Sequence, residues 1–299
     1  MNRKKYWLLA AAGLLLFAAC NKEPIPPIDN GNGGDRPVSL NLNCQGAVVI
    51  DYDTGNILYS MAPDFQLVPA SMTKVMTMYI AFDHIDKGYL SLDSQIPISP
   101  YAASRSVNPG ESNVPLTETP SYSVDELIGA LCVVSGNACA VALGEYFVGG
   151  LGTTQAYEKQ FAKEIMNHYA DSLGLDAHFD DASGLSSLNY ITPLSMARLT
   201  RDFIKRFPII LEYTSRTKLD FRGTIYGATN GMLPGMSYAY PGCDGFKTGY
   251  TTAAGLCITT TAKMGNKRVI AVVMKAPTSA ARYQDARQLM DYGFSVLLN

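Results

Sequence analysis

The sequence predicts an α+β fold (α/β in the broad sense), in which helices flank one antiparallel sheet and a separate lobe is all helical. Two apolar runs around DTGN at residues 53–56 predict a hairpin near the start. The last third holds several β-rich segments divided by Gly-containing turns, and the middle is mostly helical in pattern. Joining both strand regions into one sheet leaves the middle of the chain as the helical lobe.

The first 19 residues are predicted to be an export signal. A basic start (RKK) is followed by an apolar run from Trp7 to Ala19, which fits a signal peptide but is short for a bilayer span. The run ends in LFAAC, which resembles a bacterial lipobox and implies cleavage before Cys20 and a lipid on its sulfur. We therefore expect an exported lipoprotein, anchored to the membrane through Cys20 and facing the periplasm. A plain secretory signal with an incidental cysteine is the alternative.

Residues 20–43 are predicted to be a flexible tether. They are rich in Pro, Gly, Asn and Asp and have no hydrophobic periodicity. Five cysteines follow Cys20, and they contain no CxxC pair. Cys243 and Cys257 flank a predicted strand turn and could form a bridge in an oxidising compartment.

The overall composition is that of a globular protein with a sizeable core, since 47% of residues are hydrophobic and 17% are charged. The net charge of −2 gives no electrostatic basis for binding nucleic acid. The three histidines lie far apart and form no HExxH motif, which disfavours a zinc hydrolase and a histidine-based serine triad. We expect neither a metal nor another cofactor.

In chain order, the first predicted elements are strands near residues 46–52 and 57–60, followed by a helix from Ser71 to about Gly88. Residues 94–123 contain five prolines and are expected to be an irregular excursion that lines a site. The uncharged stretch from Leu127 to Leu143 is interrupted by Gly136 and Asn137, so it predicts two buried core helices rather than a membrane span. Further helices are expected over 154–173, 193–207 and the C-terminal residues from 279.

The stretch PASMTKVMTMY, residues 69–79, carries the first chemical hypothesis. Ser71 either caps the helix, with Lys74 an ordinary exposed cation, or is a nucleophile activated by Lys74. The same spacing recurs at Ser215 and Lys218, so the stretch does not decide alone. A lysine acts as a base only if burial or neighbouring cations lower its pKa toward neutrality.

Two later motifs favour the nucleophile. The tripeptide SGN at 135–137 breaks an apolar helical stretch, although Ser-x-Asn also occurs elsewhere in the chain. The tripeptide KTG at 247–249 occurs once, on a predicted strand. The ordered set of SxxK, SGN and KTG is typical of the penicillin-recognising serine enzymes.

The chain resembles the low-molecular-mass penicillin-binding proteins that are D-alanyl-D-alanine carboxypeptidases. The segments that carry the resemblance are PASMTKVMTMY, VDELIGALCVVSGNACAVALGE, FDDASGLSS and DGFKTGYTTAAG, within about residues 45–297. The resemblance implies a β-lactamase/transpeptidase-like fold and a penicillin-binding catalytic domain over residues 44–299. It also implies removal of the terminal D-alanine from peptidoglycan stem peptides through a serine acyl-enzyme, with β-lactams as inhibitors.

The resemblance also assigns roles by motif. Ser71 is the expected nucleophile, Lys74 its base and Ser135 a proton relay to the leaving amine. Asn137 is expected to bind the substrate backbone, and a nearby second cation to hold down the pKa of Lys74. Lys247 and Thr248 are expected to meet the terminal carboxylate of the substrate. Gly249 is expected to leave room for the substrate along the strand edge. The backbone N–H of Tyr250 is expected to form an oxyanion hole with the N–H of Ser71.

Three alternatives remain open at this point. A class A β-lactamase shares SxxK and KTG, but its deacylating glutamate would fall at Leu185 in the stretch LSSLN. A DD-endopeptidase differs only in its substrate, and a catalytically silent lipoprotein would bind cell-wall peptide without cleaving it. Many relatives continue into a second domain where this chain ends, and residues 101–121 differ from the family pattern, which leaves substrate detail open.

Overall fold

The structure is a computed structural model that describes residues 39–298. The predicted signal peptide, Cys20 and most of the predicted tether lie outside these residues. Within the described part, no helix is both long enough and apolar enough to cross a bilayer.

The described residues contain eleven strands, of which five form the main sheet and six form three small two-stranded sheets. In chain order the strands are β1 (Gly46–Asp51), β2 (Ile57–Met61), β3 (Gln95–Ile96), β4 (Tyr122–Ser123), β5 (Ala177–His178), β6 (Tyr190–Ile191), β7 (Lys218–Phe221), β8 (Thr224–Gly227), β9 (Cys243–Thr251), β10 (Gly255–Met264) and β11 (Lys267–Ala276).

Nine α-helices lie between and after these strands in the described part of the chain. They are α1 (Lys74–Asp86), α2 (Pro100–Ser106), α3 (Val124–Val133), α4 (Asn137–Phe147), α5 (Ala156–Phe161), α6 (Asn167–Ser172), α7 (Pro193–Arg206), α8 (Ile210–Thr214) and α9 (Ser279–Leu297). A 3₁₀ turn, Ala70–Thr73, leads directly into α1, and a π-helical segment, Ala162–Met166, joins α5 to α6.

The main sheet is antiparallel and joins the two ends of the chain, as the sequence predicts. Its strand order is β2-β1-β11-β10-β9, so the N-terminal hairpin pairs with the last strand, for example Val48 with Val272. Side chains alternate between the two faces of a strand. Val48 and Ile50 therefore pack toward α1 and the helical lobe, whereas Ala47 and Val49 pack toward α9. β9 is the outermost strand on one side, which leaves its edge facing the helical lobe.

The helical lobe is built on α3 and α4. Ser123 and Glu126 form a capping box at the start of α3, and the uncharged stretch that follows is buried in the core. The chain breaks at Gly136, and α4 begins at Asn137. The prediction of two core helices is confirmed, and the break places Ser135 and Asn137 at the surface of the lobe that faces β9.

Two segments differ from the predictions. Residues 94–123 are not wholly irregular, because Ser99 caps α2 and Pro100 occupies its first position, a start signal that the density of prolines obscured. The strands β7 and β8 form a hairpin of their own outside the main sheet. Leu219 and Phe221 of β7 are buried against the helical lobe, which is the physical reason for this separate position.

The bridge considered between Cys243 and Cys257 is not formed, and the five cysteines of the described residues are free and buried. Cys243 of β9 lies opposite Ala262 of β10. Cys257 is also on β10, but it lies five residues before Ala262 and opposite Gly249. Five residues of strand span about 16 Å. A disulfide requires Cα atoms within about 7 Å, so the sheet register excludes the bridge.

Candidate active site

Ser71 lies on the 3₁₀ turn before α1 and does not cap that helix. α1 begins at Lys74, the preceding Thr73 makes no capping hydrogen bond, and Ser71 Oγ instead accepts a hydrogen bond from Lys74 Nζ at 2.8 Å. Ala70 has a φ of 49°, a left-handed conformation that is costly for a residue with a Cβ atom. This strained turn presents the serine hydroxyl at the edge of β9 and excludes the capping interpretation.

Lys74 is fully buried and has three hydrogen-bond partners. Its Nζ contacts Ser71 Oγ, Asn137 Oδ1 at 2.7 Å and the backbone carbonyl oxygen of Ser183. Burial lowers the pKa of Lys74 to about 7, while the charges of Asp181 and Glu158 act in the opposite direction. Of the two causes expected from the sequence, burial and a neighbouring cation, the lowered pKa of Lys74 therefore comes chiefly from burial.

A second buried lysine faces the first from the sheet. Lys247 is 1% exposed, and its Nζ donates to Ser135 Oγ at 2.7 Å and to the backbone oxygen of Thr248 at 3.0 Å. Burial and the charge of Lys74 hold the pKa of Lys247 well below its ordinary value. Ser135 has a φ of 66°, so the backbone of the residue that carries this hydroxyl is strained at the helix break.

One face of β9 packs closely on the backbone that leads into the 3₁₀ turn. A Cβ atom at Gly249 would lie 2.6 Å from the carbonyl oxygen of Pro69 and 3.2 Å from the amide nitrogen of Ser71. Only glycine permits this approach. Beside it, Thr248 Oγ1 donates to Thr229 Oγ1 at 3.1 Å, and the Tyr250 side chain is 63% exposed at the mouth of the cleft.

A loop that carries FDDASGLSS closes the opposite side of the cleft. Gly184 has a φ of 88°, and a Cβ atom there would lie 2.0 Å from the carbonyl oxygen of Ala70. The carboxylate of Asp181 accepts hydrogen bonds from the backbone N–H groups of Gly184 and Ser186, both at 2.7 Å. This loop supplies the Ser183 carbonyl that Lys74 contacts.

Sequence reasoning missed two members of this arrangement. The loop was recognised only as part of a resemblance, and a backbone carbonyl such as that of Ser183 carries no side-chain signal. Glu111 was missed entirely, although its Oε2 accepts from Asn137 Nδ2 at 3.1 Å. It lies in the segment that was expected to line a site, which was the only available indication.

The structure brings the predicted side chains into one cleft with a defined chemistry. A lysine whose pKa is near 7 is partly neutral at neutral pH, so it can act as a general base that takes the proton of the adjacent hydroxyl as the serine oxygen attacks. A second lysine and two threonine hydroxyls offer donors to an anionic group. Among residues 39–298 there is no cluster of three or more His, Cys, Asp or Glu side chains suited to a metal ion.

A family model and sequence relatives match most of the chain. The family model described as D-alanyl-D-alanine carboxypeptidase matches residues 34–278. The chain is 33% identical to the D-alanyl-D-alanine carboxypeptidase DacF of Bacillus subtilis, across 99% of this chain and 72% of the relative. It is 34% identical to DacD of Escherichia coli, across 82% of this chain and 62% of that protein.

Solved structures agree with the fold. Penicillin-binding protein 6B from Escherichia coli is similar with a TM-score of 0.77 and 33% identity, across 86% of this chain and 79% of that one. Penicillin-binding protein D2 from Listeria monocytogenes, in its ampicillin-bound form, has a TM-score of 0.72 and 30% identity, across 86% of this chain and all of that one. The fold is thus β-lactamase/transpeptidase-like, as predicted, and the chain belongs to the D-alanyl-D-alanine carboxypeptidase family of serine peptidases.

Proposed function

We propose that this protein removes the terminal D-alanine from peptidoglycan stem peptides through an acyl-enzyme on Ser71. The observation that carries the proposal is the contact of 2.8 Å between Ser71 Oγ and the fully buried Nζ of Lys74. Membership of the carboxypeptidase family supports the same activity. The ampicillin-bound relative supports β-lactams as inhibitors that would acylate the same serine.

The first chemical step is acylation. Neutral Lys74 takes the Ser71 proton as the serine oxygen attacks the carbonyl carbon between the last two D-alanines. Backbone N–H groups of Ser71 and Tyr250 stabilise the oxyanion in our assignment, which requires no reorganisation of side chains. The C–N bond then breaks, and Ser135 relays the proton from Lys74 to the leaving amine of D-alanine, which makes Lys74 neutral again. Lys74 then takes a proton from the water that attacks the ester, and returns it to Ser71 Oγ as the bond from the acyl carbon to this oxygen breaks.

Substrate recognition is proposed to involve β9. An extended peptide would lie along the edge of this strand, beside Gly249, with its backbone near Asn137. Its terminal carboxylate would meet the ammonium group of Lys247 and the hydroxyl of Thr248. A carboxylate would also favour the protonated form of Lys247, whose pKa is otherwise depressed by burial.

An intact-mass time course with benzylpenicillin tests the proposed nucleophile. We expect one persistent adduct per protein molecule, and no adduct on the variant Ser71→Ala. Loss of penicillin without a lasting adduct would favour a β-lactamase, although Leu185 stands where that class has its glutamate. Absence of any reaction would favour a silent binding protein.

Release of free D-alanine tests the proposed substrate. We expect release from a pentapeptide ending in D-Ala-D-Ala, and we expect benzylpenicillin to block it. Faster cleavage of a purified crosslinked muropeptide dimer than of the pentapeptide would instead support the DD-endopeptidase. The Ser71→Ala variant is the control for contaminating peptidases in both assays.

We also propose that the chain is a lipoprotein anchored through Cys20, with the catalytic domain at 44–299 in the periplasm and residues 20–43 as its tether. The basis is the LFAAC sequence. In a bacterial host, we expect the protein in the membrane fraction and labelled by radioactive palmitate, and Cys20→Ala to lose the label. An unlabelled, fully released wild-type protein would favour the plain secretory signal.

A further inference from the structure

The orientation of the Lys74 amine decides whether it can act as a base. A neutral amine has two N–H donors and one lone pair. Nζ has three hydrogen-bond neighbours, of which the Ser183 carbonyl oxygen and Asn137 Oδ1 can only accept. The protonated ammonium donates to all three neighbours. In the neutral amine, if both N–H groups are donated to these two oxygens, the lone pair is left facing the third neighbour, the Ser71 hydroxyl. Proton transfer from Ser71 therefore depends on Asn137 presenting its oxygen.

An asparagine amide can present either end, so something must fix it. Glu111 lies on the far side of the Asn137 amide, where its Oε2 accepts from Nδ2 at 3.1 Å. A carboxylate accepts but does not donate, so it selects the NH₂ end of the amide. The same carboxylate is held by Arg105, whose Nη2 lies 2.8 Å from Oε2, and by Asn108, whose Nδ2 lies 2.6 Å from Oε1.

The backbone around Glu111 is fixed to the same helix end. The backbone N–H of Asn137 donates to the carbonyl oxygen of Ser112 at 2.8 Å. Asn113 Oδ1 accepts from the backbone N–H of Ala138, also at 2.8 Å. The segment before α3 and the start of α4 are thus joined by one bond between backbone groups, one from a backbone N–H to the Asn113 side chain, and the contact between the Glu111 and Asn137 side chains.

We propose that Glu111 is a positioning residue for acylation: its carboxylate holds the Asn137 amide with Oδ1 toward Lys74, which keeps the Lys74 lone pair on Ser71. A reversed amide would donate Nδ2–H into that lone pair and block the base. The effect is exerted through Asn137, because Glu111 contacts neither Ser71 nor Lys74. The inference rests on the proposed function, whose own failure would appear separately, as the absence of a penicillin adduct on the wild-type protein.

Glu111 also contributes charge. The groups that act on the ionisation of Lys74 come from several elements, and the carboxylates among them raise its pKa against the effect of burial. The groups facing Lys74 are Asp181 on the loop, Glu158 on α5, Cys139 on α4, Glu111 before α3 and Lys247 on β9. Removing the charge of Glu111 should therefore lower the pKa of Lys74, so that the amine is neutral at lower pH.

The test measures the rate of acylation by benzylpenicillin per titrated site, from pH 5 to pH 9, in the full-length protein. Glu111→Gln keeps the side-chain size but adds an NH₂ group that can donate to a reversed Asn137 amide. We expect the maximal rate to fall by roughly tenfold or more, from the loss of a charge-assisted hydrogen bond. We also expect the acid limb of the profile to move to lower pH. Glu118→Gln, an exposed glutamate of the same segment, is the matched control and should match the wild type.

A second variant separates positioning from a merely structural role. The variant Asn137→Asp places a second carboxylate against that of Glu111, and the two repel each other. Adding Glu111→Gln removes this repulsion, because the glutamine NH₂ group can donate a hydrogen bond to the new carboxylate. We expect Glu111→Gln to slow acylation in the Asn137 background and to speed it in the Asn137→Asp background. The inference is overturned if Glu111→Gln leaves the maximal rate unchanged, or if it slows both backgrounds with no displacement of the acid limb.

Discussion

The two ends of α1 each bury a charge, but they treat it differently. Lys74 opens the helix, and its three hydrogen-bond partners are a hydroxyl, an amide oxygen and a carbonyl oxygen. Asp83 lies near the other end, where Lys87 and Arg206 approach its carboxylate to 2.8 and 2.9 Å and the Tyr169 hydroxyl donates to it. Both charged side chains are fully buried.

The difference shows how one helix can serve both stability and chemistry. A buried charge with opposite charges beside it is compensated by them, and removing one partner is costly. A buried cation that contacts only neutral dipoles is instead pushed toward its neutral form, as the pKa of about 7 for Lys74 shows. We therefore expect changes at the first end of α1 to affect activity and changes at the other end to affect stability.

The largest effect is expected for Lys74→Met, which removes the base while retaining the side-chain length. Acylation by benzylpenicillin should slow by roughly a hundredfold to ten-thousandfold, the range of general base catalysis. Stopped-flow or intact-mass kinetics measure this rate, and circular dichroism checks that the variant is folded. A folded variant that reacts within a few-fold of the wild-type rate would remove Lys74 from the mechanism.

Asp83→Asn is expected to have the opposite outcome. It leaves Arg206 and Lys87 without their buried counter-charge, so the free energy of unfolding should fall by about 3 kcal/mol. Urea denaturation measures this change, and acylation per folded molecule should stay within a factor of about two of the wild type. Strong loss of acylation with unchanged stability would contradict the contrast between the two ends.

The pH dependence of acylation sharpens the same comparison. The active form of Lys74 is neutral, and burial places its pKa near 7. The rate should therefore rise with pH, by about tenfold per pH unit below 7, and approach a plateau above pH 8. Single-turnover rates with benzylpenicillin between pH 5 and 9 measure the profile. A rate that is constant over this range would show that Lys74 is not the group that titrates.

The smallest effect is expected at Ser215 and Lys218, which repeat the SxxK spacing without the buried environment of Lys74. Ser215 follows α8, and Lys218 is exposed at the start of β7. The double variant Ser215→Ala, Lys218→Met should leave the acylation rate unchanged. It should change the free energy of unfolding by no more than about 0.5 kcal/mol. A large loss of acylation would mean that the SxxK spacing contributes to catalysis even where the lysine is exposed.

Much of this arrangement could be predicted from the sequence. The hairpin, the late strands and the terminal helix have regular patterns of apolar residues, and these patterns specify which faces are buried. The motifs around Ser71, Ser135 and Lys247 were recognisable because each is a short run of reactive side chains. Their order along the chain resembles that of a known enzyme family, and this resemblance predicted a shared site, although Lys247 and Ser135 are separated by 112 positions.

The remainder depends on contacts that leave no local pattern. The carbonyl of Ser183 could belong to any residue, so its role follows only from where the loop folds. Glu111 reads as one more surface charge in a proline-rich segment. The separation of Cys243 from Cys257 is set by strand register, which a spacing of fourteen residues does not reveal.

The contact between Gly249 and Pro69 has a further consequence for the behaviour of the protein at high concentration. An exposed outer strand offers unpaired backbone groups and invites sheet-to-sheet association with other molecules. Here the turn at Ala70–Thr73 packs on one face of β9 at close range, so a flat second sheet aligned with this outer strand meets the turn. A single extended peptide is much thinner than a sheet. The close packing that sets Ser71 beside β9 thereby also disfavours sheet-to-sheet association at this strand.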